Sequence, residues 1–121
     1  MLRASRSFRL DAAAAVLERL ERVRAVDPGL AQSCRVLLAP LEREDRERGN
    51  NLMATLRAYY HSGMRVDKTA DALFLHRNSV RYRLDRIRLL LGFDIDRPAA
   101  IAALMVALGG PGGIKEIANA S

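Results

Sequence analysis

The sequence predicts an all-α fold, a helical bundle that contains a helix-turn-helix. Three observations predict it. Half of the 121 residues are hydrophobic, mostly Ala, Leu and Val, with three Phe, three Tyr and no Trp; that mixture suits helices better than sheets, which draw on aromatic and β-branched residues. Apolar residues recur at intervals of three and four along most of the chain, and no segment alternates persuasively as a strand would. Residues 67–91 read as a short helix, a three-residue turn and a longer basic helix.

The elements follow in order. Leu10, Ala13, Leu17, Leu20 and Val23 recur at helical spacing, with Glu18, Glu21 and Arg22 elsewhere on the wheel. This predicts an amphipathic helix over Leu10–Val26 with one buried face, used for packing or dimerisation. Asp27-Pro28 closes it and opens the next, because Asp caps well and Pro suits a first helical turn. The second helix, through Leu30, Val36, Leu37 and Leu38, should break or kink near Pro40. Leu41 to Arg48 is a mixed-sign run, read as a solvated face of little energetic weight.

Gly49 ends that helix, and Asn50 or Asn51 caps a third whose buried stripe is Leu52, Leu56 and Tyr59 or Tyr60. It ends at His61-Ser62-Gly63. Asp67 should cap a short helix of Lys68 to Leu73, too brief to stand without packing. Phe74-Leu75-His76 connects it to a long helix from Asn78 to Leu91, stopped by Gly92. Asp96 should cap a last helix with Pro98 in its first turn, running to Leu108. Gly109 to Gly113 ends the ordered domain, and Ile114 to Ser121 is a tail.

Charge narrows the function. Twenty Lys and Arg against 14 Asp and Glu give +6, which draws a protein toward polyanions. Residues 64–88 hold seven basic and three acidic side chains, so +4 of that excess lies in a fifth of the chain. Cys34 is the only cysteine, which excludes an internal disulfide framework and a cysteine-rich zinc site; it is expected to be a small buried hydrophobe. The longest apolar stretch, Ala99 to Leu108, is about half the roughly 18 residues of a membrane span. Arg3, Arg6 and Arg9 are followed by Asp11 and Glu18, so the charge-free core of a signal peptide is missing and a cytoplasmic location is expected. Glu18 and Glu21 also weaken a membrane-surface role for the first helix.

Enzyme chemistry has little to stand on. His61 and His76 lie in different elements, Cys34 has no evident base, and Ser79 lies among arginines. No glycine-rich phosphate loop or metal-ligand spacing is present, so no cofactor is expected.

The basic helix divides into two faces. Val80, Leu84, Ile87 and Leu91 fall at i, i+4, i+7 and i+11 and point inward. Ser79, Tyr82, Arg83 and Arg86 share another face, with Arg77, Asn78 and Arg81 toward the N-terminal end. A helix-turn-helix needs this division, because its second helix must stay anchored while its N-terminal half enters a major groove. Arg can hold guanine O6 and N7 with two parallel hydrogen bonds, and Asn can do likewise for adenine. Small Ala70 lets the two helices cross closely, and Leu75 plugs the turn. Each polar residue also has a plainer use: His76 as a turn cap, Asn78 bonding to its own backbone, Tyr82 packing on arginine side chains. Tyr59 and Tyr60 diverge by about a hundred degrees on a helix, which favours core packing over a stacking platform for single strands. A protruding helix suits B-form DNA better than the deep, narrow groove of RNA.

Leu52 to Tyr59, Lys68 to Ile87, Leu90-Leu-Gly92 and Asp96 to Leu104 together resemble the C-terminal helix-turn-helix of the PucR/CdaR group of bacterial transcription regulators. His76-Arg-Asn-Ser-Val-Arg-Tyr-Arg83 is the most specific part, and the layout is also similar to the Fis-type helix pair. The resemblance divides the chain into an N-terminal amphipathic helical extension (1–35), a helix-turn-helix domain (36–108) and a Gly-rich break with a tail (109–121). It implies a homodimer that binds double-stranded DNA and regulates transcription; the residues themselves suggest no membrane partner and show no legible small-molecule effector pocket inside this chain. It implies that Arg77, Ser79 and Arg81 face DNA with His76, Asn78 and Tyr82 beside them, and that Arg83 and Arg86 meet phosphates. Lys68 and Thr69 of the preceding helix complete that set. Phe74 stands where a generic helix-turn-helix prefers Gly, although Phe suits the PucR-type pattern. Members usually carry a long N-terminal sensory region, whereas about 35 residues precede the match here; a fragment of a larger regulator and a stand-alone protein are both compatible with that. A helical interaction module that keeps the fold without operator binding is the alternative reading.

Overall fold

The structure, a computed structural model, describes the backbone of residues 6–109 and the side chains of residues 11–109. The expected tail, Ile114 to Ser121, the residues of the Gly-rich break from Gly110 to Gly113, all of Arg3, and the side chains of Arg6, Arg9 and Leu10 lie outside the described residues. Six helices follow one another: α1 (Arg6–Val26), α2 (Pro28–Arg48), α3 (Leu52–His61), α4 (Val66–Leu73), α5 (Arg77–Leu91) and α6 (Pro98–Leu108). No strand occurs among the described residues. The expected all-α helical bundle is the fold.

Helix α2 begins where an Asp-Pro pair should start one. Asp27 is extended and its carboxylate accepts the backbone N–H of Leu30 at 3.1 Å, with Pro28 in the first turn. Gly49, at φ 66°, ends it in the left-handed conformation that glycine adopts without a Cβ penalty. The helix crosses position 35 without interruption, and it runs unbroken through Pro40. Leu38 and Leu41, buried on either side of that proline, hold the segment against the core across the missing backbone donor.

Helices α3, α4 and α5 pack on one another; α2 lies against α3, α5 and α6, and α6 also touches α3. Leu41, Leu52, Leu56, Val80, Leu84, Ile87, Ile95, Leu104 and Leu108 are each essentially closed to solvent where these elements meet. The eight-residue α4 is held by its packing on α3 and α5, with Thr69 and Ala70 buried and Val66 against the core. Cys34 is buried as expected. Both Tyr59 and Tyr60 are core residues, with ring centroids 6.0 Å apart. The Tyr59 hydroxyl donates to the Asp96 carboxylate and the Tyr60 hydroxyl to the Ile95 carbonyl, each at 2.8 Å. Those bonds fasten the α5–α6 connection to α3. Burial, with Asp96 alongside, pushes the Tyr59 hydroxyl up to about 12; Tyr60, also buried, is pushed well above its ordinary value.

Four local expectations are corrected. The first concerns the mixed-sign run, which is not simply solvated: Leu41 and Glu44 are buried, and the Asp45 carboxylate accepts the N–H groups of Leu52 and Met53 at 2.6 and 3.1 Å. The second follows from it. Asn51 occupies the N-cap of α3 but makes no side-chain cap bond, because Asp45 reaches across the turn to do so. The third concerns the starts of α4 and α6, where Arg65 and Arg97 hold the N-cap positions without side-chain capping. Asp67 lies in the first turn of α4, ion-paired with Arg65 at 3.0 Å. Asp96 is engaged by Tyr59 and Arg88.

The last correction is the direction of α1, which touches α2 and α6. Its half-buried side carries Ala14, Leu17, Glu18, Glu21 and Arg24, whereas Ala13, Val16, Leu20, Val23 and Val26 are exposed. Most of the stripe expected to be buried therefore faces outward. A groove beside the end of α1 mixes the charged side chains of Arg24, Arg35, Glu42 and Arg57 with apolar Leu38, Met53 and Leu108.

Candidate nucleic-acid interface

Helix α4 ends in a reversed turn that sets the position of α5. Phe74 adopts φ 55°, and the Leu75 N–H reaches back to the Ala70 carbonyl at 2.9 Å, the pattern of a left-handed helix stop. Ala70, buried, lies in this closing turn, and Leu75 packs on the core. The Phe74 side chain is 95% exposed, so packing among the described residues does little to offset the roughly 1–2 kcal/mol by which a non-glycine residue resists this conformation.

His76 then caps α5. Its Nδ1 accepts the Asn78 N–H at 3.0 Å, and Gly92 closes the other end at φ 77°. Helix α5 thus starts at Arg77, one residue before the expected start. Val80, Leu84 and Ile87 are buried on its inner side and Leu91 is half-buried. Arg77, Asn78, Ser79, Arg81 and Tyr82 are exposed at its N-terminal end. The Arg81 guanidinium lies 3.5 Å from the Asn78 side-chain oxygen. Neither Arg77 nor Arg81 enters an ion pair among the described residues.

The other residues expected at the site fare differently. Lys68 is exposed in the first turn of α4. Thr69 is fully buried and its hydroxyl donates to the Arg65 carbonyl at 2.7 Å, so its side chain belongs to the packing of α4. Arg83 is half-buried, and its Nη1 donates to the Thr55 hydroxyl oxygen at 3.3 Å. Arg86 grips Glu44 with two nitrogens, Nε at 2.7 and 2.9 Å and Nη2 at 2.6 Å. The Arg86 guanidinium beside it, helped by Asn50, holds the Glu44 carboxyl down to about 2 against its burial. Five of the expected residues, Arg77, Asn78, Ser79, Arg81 and Tyr82, therefore stand together in the open, with His76 at the cap beneath them.

Sequence reasoning missed Glu44, Asn50 and Thr55. Asn50 donates to Glu44 at 2.9 Å and lines a cleft of about 410 Å³ with Asn78, Ser79, Tyr82 and Arg83. Extending the buried positions Cys34, Leu38 and Leu41 by one more turn reaches Glu44 and Asp45; that was the available signal. No group of metal-ligating side chains occurs among the described residues, and no described helix is long and apolar enough to cross a membrane.

Comparison with known proteins meets this geometry at the right place. Residues 52–109, from α3 to just past α6, match the model of the PucR C-terminal helix-turn-helix domain. This segment belongs to the PucR helix-turn-helix family. The chain is 44% identical over 66 residues to an uncharacterised protein of Thermomonospora curvata, covering 54% of this chain and 36% of that one. It is 35% identical over 71 residues to the purine catabolism regulatory protein of Bacillus subtilis, covering 59% of this chain and 13% of the relative. The carbohydrate diacid regulator of Escherichia coli is 40% identical over 60 residues, covering 49% of this chain and 16% of the relative. The chain therefore spans little more than a third of the first of these relatives and under a fifth of the other two. No solved structure matches it. Within the PucR-type domain, α4 and α5 are the helix pair, and α3 and α6 brace it.

Proposed function

We propose that this PucR-type domain binds double-stranded DNA in a sequence-specific manner and regulates transcription, with the N-terminal half of α5 in a major groove. One observation carries the reading: Arg77, Asn78, Ser79, Arg81 and Tyr82 are exposed together on a helix whose opposite side is anchored in the core. Arg77 and Arg81 are the base-reading candidates, since a guanidinium matches the two acceptors of guanine. Lys68 serves phosphates from α4. Positive charge at the start of α5, added to the positive end of its helix dipole, favours an anion there. The regulator names of the Bacillus and Escherichia relatives support the same role. The reading includes a homodimer, matching a two-fold operator, a cytoplasmic site of action, no catalytic activity and no effector pocket of its own.

The test is an anisotropy titration against random-sequence duplex DNA across a salt series, with the protein's mass in solution measured in parallel. Neutralising several phosphates should make log K fall with log[salt] at a slope of about −0.9 for each. Absent binding at low salt by a dimeric, folded protein would overturn the reading in favour of an interaction module.

A further inference from the structure

The cleft beside α5 has a chemistry of its own. Its walls are Asn50, from the link between α2 and α3, and Asn78, Ser79, Tyr82 and Arg83 from the first two turns of α5. Every one of these side chains can donate a hydrogen bond and none is a carboxylate. Two of them are held from behind. The Asn50 amide nitrogen donates one hydrogen to Glu44, leaving its second N–H to point elsewhere. Glu44 in turn is fixed by the two-nitrogen grip of Arg86. Arg83 leans on the Thr55 hydroxyl oxygen, whose own proton goes to the Asn51 carbonyl at 2.8 Å. With that one bond made, the Arg83 guanidinium keeps its charge and several N–H groups, and it enters no ion pair among the described residues.

We propose that this cleft is a phosphodiester seat, in which Asn50, Ser79, Tyr82 and Arg83 hold one backbone phosphate of the bound strand. This deepens the DNA-binding reading and rests on it. The new content is that a residue outside the helix pair, Asn50, touches the nucleic acid, and that Arg86 acts through Glu44 as a positioning residue. Without Arg86, the Glu44 carboxylate would stand unneutralised behind the seat and repel the phosphate. The contact is sequence-independent, because a phosphate carries no base identity. Such a contact fixes the register of α5 in the groove.

The experiment uses the full chain and duplexes in which methylphosphonates replace backbone phosphates one at a time. Wild type should lose affinity when the seated phosphate is neutralised, whereas Asn50→Ala should lose less at that same position because one of the phosphate's contacts is already gone. Asn50→Ala itself should weaken all duplexes alike by about two- to tenfold, the usual worth of one hydrogen bond, and Asn50→Asp should weaken them further. Arg83→Ala should lower the salt slope by about 0.9. Circular dichroism melts separate these effects from misfolding, and the methylphosphonate comparison is internal to each variant. If wild type binds duplex DNA with a steep salt slope but no position distinguishes it from Asn50→Ala, the seat is overturned and the wider reading stands. If wild type binds no duplex, both fall. Inorganic phosphate that moves the Asn50 side-chain amide signals while duplex DNA leaves them in place would also overturn the assignment to a strand.

Discussion

Helix α5 treats its arginines differently at its two ends. In the first two turns, Arg77 and Arg81 are exposed and outside any ion pair among the described residues. In the last two, Arg86 is bound to Glu44, and Arg88 reaches Asp85 at 3.3 Å and Asp96 at 3.4 Å. The residue type is the same and the helix is the same. What differs is the neighbour: α2 brings a buried carboxylate to the C-terminal half, and the α5–α6 link brings another, while nothing acidic is paired with the N-terminal half. The summed charge of this region therefore overstates what a polyanion can reach. A third arginine in the segment, Arg65, is also paired, with Asp67.

The largest effect should come from removing what both halves share. Ile87 is fully buried under α5, and Ile87→Ala should cost about 2–5 kcal/mol of stability in chemical denaturation, abolishing any distinction between the two ends. A loss below about 0.5 kcal/mol would mean that α5 is not anchored by this face.

Next comes the contrast itself. Arg77→Ala should leave the melting temperature unchanged and cost about 1–3 kcal/mol of operator affinity with relaxed specificity. Arg86→Ala should do the reverse, lowering the melting temperature and weakening every sequence by a similar factor. Parallel melts and binding curves for the two variants decide it; equal melting temperatures would erase the structural role of the C-terminal half.

The smallest effect concerns acid. The folded Glu44 carboxyl titrates at about 2 rather than at its ordinary 4.5, because Arg86 and Asn50 favour the ionised form. The stability this contributes is fully present above the unfolded value and is lost as pH falls from about 4.5 toward 2. Glu44→Gln should remain less stable than wild type near neutrality but lose less on acidification through that window. Parallel acid limbs for the two proteins would show that the pair carries no linkage.

Much of this was legible in local sequence, and the division has a physical cause. Gly49, Gly92, Pro28 and Pro98 mark helix ends because their backbone preferences act on their own residue, and Val80, Leu84 and Ile87 mark an inner face because helical spacing is enough to align them. The Asp45 cap on α3, the Glu44–Arg86 pair across 42 residues and the Thr55 support of Arg83 depend on tertiary placement. Periodicity carries the inner face of α2 on to Glu44 and Asp45 but names none of these partners. Thr69 shows the same limit in the other direction: a polar residue beside the turn looked available, yet its hydroxyl bonds backward into its own helix.

The orientation of α1 has a consequence for the order in which the molecule comes apart. A helix that docks through Ala14, Leu17, Glu18, Glu21 and Arg24 and leaves Val16, Leu20, Val23 and Val26 in solvent gives up little apolar burial when it lifts away. Opening of α1 should thus require far less free energy than opening of the three helices around Leu56 and Ile87. Its amide hydrogens would exchange through separate local openings, while those of α3 and α5 would wait for the whole domain to unfold. The chain should behave as two cooperative units of unequal strength, the weaker one being the helix that reaches the helix pair only through its neighbours.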